Sequence, residues 1–577
     1  MKNLTTINDL ISYQAVKFSN LRALNFKVGG ELKSFSNQDF FDNVFYFAAG
    51  LREIGFKKGQ VFANYSHQNP IWLIVDLGAI LAGAITVPIF ENISNDNLAY
   101  EINDAAVEFI FTDNDRFLIA DRQLTVISYG FESNNSITFE NLIALGKKAV
   151  ADRKYEFEKL KSESDAHEIA TIIYTSGTGG RPKGVEITHD NIISQIKATQ
   201  QFFPLKEGEI VLSFLPMAHI FERMVMMYYL TQGVSVYFAD DVKNVGNILR
   251  EISPQLMTTV PRMLEKVYAA INEKMDAANF FSRILGKMAL KRALNKSVDS
   301  PKNFCDKIFD ALVYKKFRAA LGGKMEMIIC GGAALSLDLQ RFYKNIGINI
   351  FCGYGLTETS PVIAANSPKN YKIGTVGKVF PQVEIKIDKD GELMVAGPNV
   401  MRGYHNLPQM NAEVFDGKWL RTGDRASIDD KGFLTITGRK KELFKNANGK
   451  YVSPIVIEQK LLQQLGFLLG AIVIAEGRKF TSALLFPDFE ILGKFKSKMD
   501  FAGTDEEFLK SKKLHDFVEA RIKEINKNLD HWEQVQKFYI ATKPISVESG
   551  EITPSMKLKR NLLEEKYKKE IDALYSN

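Results

Sequence analysis

Apolar residues recur at close to helical spacing over 40–55, and short apolar runs follow at 61–65, 84–90, 107–112 and 124–128, separated by polar helical stretches. Strand and helix therefore alternate, which predicts an α/β fold. The rhythm continues through runs at 210–214, 234–238 and 257–260, the last entering a turn at Pro261 and Arg262 and then a helix. Residues 270–320 depart from it: they are basic, helix-prone and free of strand signals, and read as a helical insertion. Runs at 327–330 and 348–352 each lead into a glycine-rich loop, and in open α/β sheets ligands bind at that carboxyl edge of the strands.

After 375 the texture changes to alternating strands such as 383–387 and 392–395, predicting a small β-rich subdomain. A turn at 429–432 and a basic stretch at 439–441 mark a boundary, giving domains at 1–438 and 439–577. The second is expected to be a small α+β unit, with strands at 471–475 and 483–486, helices at 454–464 and 507–529, and a basic tail. The most apolar stretch, 71–90, approaches a membrane-spanning length, but Asp76, Gly78, Gly83 and Pro88 interrupt it. It reads as a buried helix followed by a strand, with a spanning helix as the alternative.

Composition narrows the class. With 577 residues and 45% hydrophobic content the chain needs more than one core. A net charge of +6 with no basic block gives no sign of nucleic acid and is compatible with acidic small substrates. Cys305, Cys330 and Cys352 have no CxxC partner or metal-ligand spacing with the seven histidines, and read as reduced core thiols. Residues 1–13 lack a signal-peptide pattern, so a cytoplasmic location is expected.

The densest chemistry lies at 174–189, where Thr175, Ser176 and Thr178 supply hydroxyls, Gly177, Gly179, Gly180 and Gly184 open the backbone, and Arg181 and Lys183 add charge. Such a loop can cradle polyphosphate, because glycines let backbone N–H groups approach phosphate oxygens. It is not a Walker loop, since Lys183 follows Pro182 and precedes Gly184, leaving no hydroxyl to reach a metal. Pro182 disfavours helix at Arg181, so the loop is expected to join strands at 170–174 and 184–187.

Taken together with the segments 215–223, 331–336, 353–361, 419–424, 437–454 and 552–560, that run makes the chain resemble the adenylate-forming (AMP-binding) superfamily over nearly its whole length, and long-chain fatty acyl-CoA synthetases in particular. The resemblance implies a large α/β domain with a β-rich subdomain and a small mobile C-terminal domain. It implies activation of a long-chain fatty acid by Mg-ATP to acyl-AMP, then transfer to coenzyme A, with AMP and pyrophosphate released. Two rivals are an acyl-AMP ligase that loads a carrier protein and a non-catalytic acyl or nucleotide binder.

Carried over by motif position, Thr175, Ser176, Gly177, Thr178, Gly179 and Lys183 would hold the β- and γ-phosphates, although many relatives have Thr where Gly179 stands. Glu358 would place Mg²⁺ through ATP, and Thr357 would bond the α-phosphate. Gly331, Gly332 and Tyr354 would wall the adenine pocket, Ala333, Gly353 and Gly355 would also bind the nucleotide, and Asp424 and Arg439 would meet the ribose. Outside the motif, Asp424 is a turn aspartate, Arg439 a surface arginine and Tyr354 a core residue.

Lys557 would be the mobile catalytic lysine, preceded by Pro554, Ser555 and Met556 where many relatives have a small residue and glycine. Lys441 would be the hinge of a rotating domain, bringing Asn448 and Gly449 to the coenzyme A tunnel. His219 would lie near the acyl group or be a core histidine, Glu222 and Arg223 would form an ion pair, and 224–230 would line an alkyl tunnel or be plain core. Peripheral contact with the inner face of the membrane is a hypothesis here, and the oligomeric state stays open.

Overall fold

The structure, a computed structural model, describes residues 3–114, 124–133, 136–175, 181–239, 241–298, 300–301, 303–440, 444–447, 450–527 and 529–576. Among these residues two large sheets carry the first part of the chain. One runs Gly403–Tyr404, Lys183–Thr188, Ile169–Thr175, Ile85–Pro88, Val61–Tyr65, Phe109–Thr112, Thr125–Ser128 and Ser136–Thr138, parallel except that Lys183–Thr188 pairs antiparallel with both its neighbours. The other has a parallel centre of Asn349–Gly355, Met327–Cys330, Leu256–Thr259, Ile210–Ser213 and Ser235–Phe238, extended by Leu24–Val28 and its hairpin mate Glu31–Phe35. The α/β expectation is borne out.

The apolar stretch 71–90 is core. Asn69 caps the helix Pro70–Leu81 by accepting from Ile71 and Trp72 N–H groups, Pro70 occupies the first turn, and the chain turns at Gly83 with φ +80 before the strand Ile85–Pro88. All twelve helical residues are buried, including Asp76. Among the described residues no helix is long and apolar enough to cross a membrane.

A third, antiparallel sheet of Glu384–Ile387, Glu392–Ala396, Trp419–Ile428, Phe415–Asp416 and Leu434–Arg439 forms the β-rich part. The last part of the chain packs Leu468–Ile474, Thr481–Pro487 and Val535–Ile540 between two apolar clusters. Several details differ from the sequence reading. The span 507–529 is two helices, Asp505–Leu509 and Lys512–Asn526, because Ser511 caps the second. The basic tail contains two short helices, Arg560–Lys566 and Lys568–Tyr575, whose Leu563, Tyr567 and Ile571 enter the core. Cys330 and Cys352 are buried, but Cys305 is exposed on the helix Phe304–Phe309 and is no core thiol.

Candidate active site

The strands Ile169–Thr175 and Lys183–Thr188 pair antiparallel, with Thr175 opposite Lys183, so the hairpin holds the two ends of the glycine-rich loop side by side. Ser176, Gly177, Thr178 and Gly179 lie outside the described residues, as do Lys441, Asn448 and Gly449. Lys183 sits with its Nζ 5.2 Å from the centre of the Tyr404 ring, whose hydroxyl donates to Glu358 at 2.7 Å. Glu358 is thus fixed by a neutral donor whose ring meets Lys183. Its short 3₁₀ turn, Thr357–Thr359, follows the strand Asn349–Gly355.

Gly355 ends that strand where a Cβ would come within 1.7 Å of the Pro361 carbonyl oxygen, a backbone approach that excludes any side chain. Gly353 and Tyr354 precede it on the strand, and Gly331, Gly332 and Ala333 follow the neighbouring parallel strand Met327–Cys330, so both loops open on one sheet edge. Gly332 adopts φ +81. The Tyr354 hydroxyl donates to Asp424 at 2.6 Å and Arg439 Nε donates to the other oxygen at 3.0 Å. Asp424 and Arg439 face one another on paired strands of the third sheet. That joins the presumed turn aspartate, surface arginine and core tyrosine of the motif-free reading in one cluster.

From the C-terminal part comes Lys557. It follows a tight turn in which Thr553 N–H donates to the Lys557 carbonyl and Lys557 N–H donates to the Thr553 hydroxyl, closing the Ile552–Leu558 bridge. The turn carries Lys557 into a cleft, open to solvent, that it shares with Thr175, Thr357 and His219. Around the cleft the two parts of the chain touch: Asn92 Nδ2 donates to the Pro554 carbonyl at 3.3 Å and Gln459 to Ala334 at 3.2 Å. Farther out, Arg262 donates to the Leu468 carbonyl at 2.7 Å, and Lys243–Glu490 and Lys498–Glu273 form ion pairs.

His219 is the N-cap of the helix Ile220–Leu230, its Nδ1 accepting from Phe221 N–H at 3.2 Å. Burial, with a smaller push from Lys557, lowers its pKa to about 4, so the ring is neutral at pH 7. Glu222 and Arg223 do not pair with each other. On consecutive positions of a helix they point to different neighbours: Arg223 forks onto Asp76 with two bonds of 2.8 Å and donates to Thr171 and Thr86, while Glu222 accepts from the Ser213 and Thr258 hydroxyls at 2.6 and 2.7 Å. The helix they sit on is buried throughout most of its length, with Met224, Met226 and Met227 in the main core.

Part of the cleft wall had no motif to announce it. Glu101, on the helix Asn95–Asp104, is buried in the cleft wall, and desolvation raises its pKa to about 8. Asn97, one turn earlier, lines the same wall. The only sequence signal was the break in apolar spacing that a charged residue makes on the inner face of a helix.

Comparison with known proteins settles the lineage. Residues 11–405 match the AMP-binding enzyme family, and residues 442–577 match the AMP-binding enzyme C-terminal domain. The chain belongs to the AMP-binding enzyme family. This AMP-binding enzyme is 34% identical over 92% of its length to the long-chain-fatty-acid–CoA ligase FadD15 of Mycobacterium bovis, covering 90% of that protein. It is 30% identical to the human long-chain-fatty-acid–CoA ligase ACSBG1, covering 98% of this chain and 84% of the relative. Among solved structures, the adenylation domain of a Mycobacterium chelonae carboxylate reductase matches with a TM-score of 0.76 at 19% identity, covering 100% of this chain and 92% of that one. The O-succinylbenzoate coenzyme A synthetase of Bacillus subtilis, in complex with ATP and magnesium ion, matches with a TM-score of 0.65 at 21% identity, covering 96% and 99%. These structural likenesses bear on the fold.

Among the described residues no group of three or more His, Cys, Asp or Glu side chains could hold a metal ion. The single carboxylate of Glu358, held by the hydroxyl of Tyr404 whose ring faces Lys183, is compatible with Mg²⁺, an ion that takes one or two protein carboxylates and fills the rest of its octahedron with phosphate oxygens and water.

Proposed function

We propose that this AMP-binding enzyme joins a long-chain fatty acid to coenzyme A at the expense of ATP, through an acyl-AMP intermediate. A carboxylate oxygen attacks the α-phosphorus, an O–P bond forms, and the bond to the β-phosphate oxygen breaks to release pyrophosphate. The thiol sulfur of coenzyme A then attacks the acyl carbon, the C–O bond to AMP breaks, and the thiol proton passes to solvent. The observation that carries the reading is the presence of Lys557 in the cleft with Thr175 and Thr357, supported by long-chain-fatty-acid–CoA ligases as relatives over nine-tenths of the chain.

An anionic nucleophile must approach an anionic centre, so the first step needs positioning and charge cancellation above all. Lys183 and the backbone of the 176–180 loop would hold the β- and γ-phosphates, and Thr357 the α-phosphate. Glu358 would contribute one carboxylate to a Mg²⁺ bound with ATP, which would neutralise phosphate charge. Lys557 Nζ would meet the α-phosphate and carboxylate oxygens as charge builds between them. His219, neutral and held by its own helix N-terminus, would border the acyl carboxylate without adding a charge that competes for it.

On the other side, Asp424 would accept from the ribose hydroxyls, with Tyr354 and Arg439 fixing its orientation, and Gly331, Gly332, Ala333, Gly353 and Gly355 would let the purine lie against backbone. For thioester formation the C-terminal domain would rotate at Lys441, taking Lys557 away and bringing Asn448 and Gly449 to the pantetheine path, a hinge transition in which few dihedrals change. The contacts of Arg262, Lys243 and Lys498 across the two parts of the chain would break in that rotation.

The test is a product assay with oleate, ATP, Mg²⁺ and coenzyme A. Oleoyl-CoA, AMP and pyrophosphate in equal amounts are expected. Acyl-AMP that accumulates in the presence of coenzyme A, yet discharges onto a carrier protein, would overturn the acceptor; absence of any pyrophosphate release would overturn the activity.

A further inference from the structure

The helical insertion has an outer face that nothing in the cleft chemistry uses. Its helix Phe280–Asn295 packs Gly286, Ala289 and Ala293 inward, and the following helix Phe304–Phe309, continued through Asp310–Tyr314, packs Val313 and Tyr314 onto the same core. The two are tied together by the Tyr314 hydroxyl, which donates to the Ala289 carbonyl at 2.9 Å, and by Asp306, which bonds Arg292 at 2.6 Å and also Lys296. With their inner faces on one core, their outer faces turn outward together.

Those outer faces are apolar. Phe281, Ile284 and Met288 form one row and Phe304, Ile308 and Leu312 another, each repeating at three to four residues, with Phe281 82% and Phe304 76% exposed. The chain has 41 phenylalanines, yet among the described residues every exposed one lies here. A concentration of that kind is not the ordinary scatter of surface hydrophobics.

The surround is basic. Residues 280–318 contain ten Lys and Arg against three Asp, a net of +7, whereas the whole chain carries +6, so the remainder is slightly acidic. The internal pairs consume Arg292, Lys296 and Arg318. Lys291, Lys307, Lys315 and Lys316 are exposed and have no acidic partner in an ion pair among the described residues. Aromatic and aliphatic side chains rimmed by unpaired lysines on short helices are the composition that enters a headgroup layer: the rings and alkyl chains leave water while the ammonium groups meet lipid phosphates. A second copy of this chain would bring the same positive charge to the contact and be repelled.

We infer that the outer face of the helix Phe280–Asn295 and of the helical segment 304–316 docks the enzyme on an anionic lipid bilayer. The inference stands on this surface and goes beyond the proposed reaction, to which it adds a source: long-chain acids dissolve in bilayers, so a docked enzyme meets them where they are concentrated.

The experiment is co-sedimentation of the full chain with vesicles of phosphatidylcholine alone and of phosphatidylcholine mixed with phosphatidylglycerol. Two variants accompany the wild type: Phe281→Ser with Ile284→Ser and Met288→Ser, and Lys291→Glu with Lys307→Glu, Lys315→Glu and Lys316→Glu. Activation of octanoate, a water-soluble acid, reports that each remains folded. The wild type is expected to bind the phosphatidylglycerol vesicles and to be released by high salt, and both variants to bind at least about tenfold more weakly while octanoate activation is unchanged. Failure of the wild type to sediment, equal binding by the variants, or a wild-type dimer that the serine variant dissociates without any vesicle binding would each overturn the inference. An inactive wild type that still sediments would instead refute the proposed reaction and leave the docking surface standing.

Discussion

The hydroxyl of Tyr354 donates to the carboxylate of Asp424 at 2.6 Å, joining the carboxyl end of a central parallel strand to the β-rich part 70 residues later. With Arg439 on its other oxygen, the Asp424 carboxylate is held in a buried position with a fixed direction. Hydrogen bonds to a charged group are worth about 1.5–3 kcal/mol. Asp424→Asn is therefore expected to weaken AMP binding by about tenfold or more, and Tyr354→Phe by less, because the Arg439 contact survives. Calorimetric titration with AMP checks the order, and equal loss in both variants would contradict it.

The buried pair of Asp76 and Arg223 makes a stability prediction separate from catalysis. Both side chains are essentially inaccessible, and the guanidinium is further bound to Thr86 and Thr171. Removing one partner leaves an uncompensated buried charge, so Asp76→Ala or Arg223→Ala should cost roughly 3–5 kcal/mol in denaturant unfolding. Removing both should cost less than the two single losses together, which a double-mutant cycle measures.

Glu222 gives stability a pH dependence. Burial, only partly offset by the Ser213 and Thr258 hydroxyls, raises its pKa from 4.5 to about 7. A carboxyl with a raised folded pKa stabilises fully below its unfolded pKa and loses that contribution as pH rises through the folded one. The loss should therefore run from about pH 4.5 to about pH 7 and reach about 3 kcal/mol. Glu222→Gln should remove this component, so that wild type and variant diverge in unfolding midpoint most above pH 7. An identical pH profile in both proteins would contradict it.

The turn that presents Lys557 has an unfavourable residue in it. Met556 adopts φ +62, a left-handed conformation that costs a side-chain-bearing residue roughly 1–2 kcal/mol. Met556→Gly is expected to raise the stability of the C-terminal part by about 1 kcal/mol, with the gain offset in part by glycine's greater unfolded-state entropy. Thermal unfolding with a lower midpoint than the wild type would show that the Met556 side chain, though 57% exposed, contributes more than the strain removes.

The alternation of apolar runs was enough to read the parallel sheets, because a strand buried on both faces has to be continuously apolar. The hairpin Leu24–Val28 and Glu31–Phe35 was not legible: it joins the sheet edge and leaves Glu31 and Lys33 in solvent, so no apolar run marks it. The split at Ser511 escaped for a different reason, since a capping serine does not interrupt helical spacing. At the cleft, motifs located the candidate site residues, but not the side chains that hold them. Tyr404 on Glu358, Asp76 on Arg223 and Glu101 beside the Lys557 turn are tertiary meetings across large sequence separations, and spacing along the chain carries no record of them.

The most direct measurement of the central claim is the rate of pyrophosphate release from ATP with oleate, compared between wild type and Lys557→Ala, alongside ATP affinity in both. If Lys557 cancels charge that develops only as carboxylate meets α-phosphate, release should slow on the order of a hundredfold to a thousandfold while ATP binds with unchanged affinity. Equal release by the two proteins would show that the cleft does not activate the acid through this lysine, and the account would be wrong.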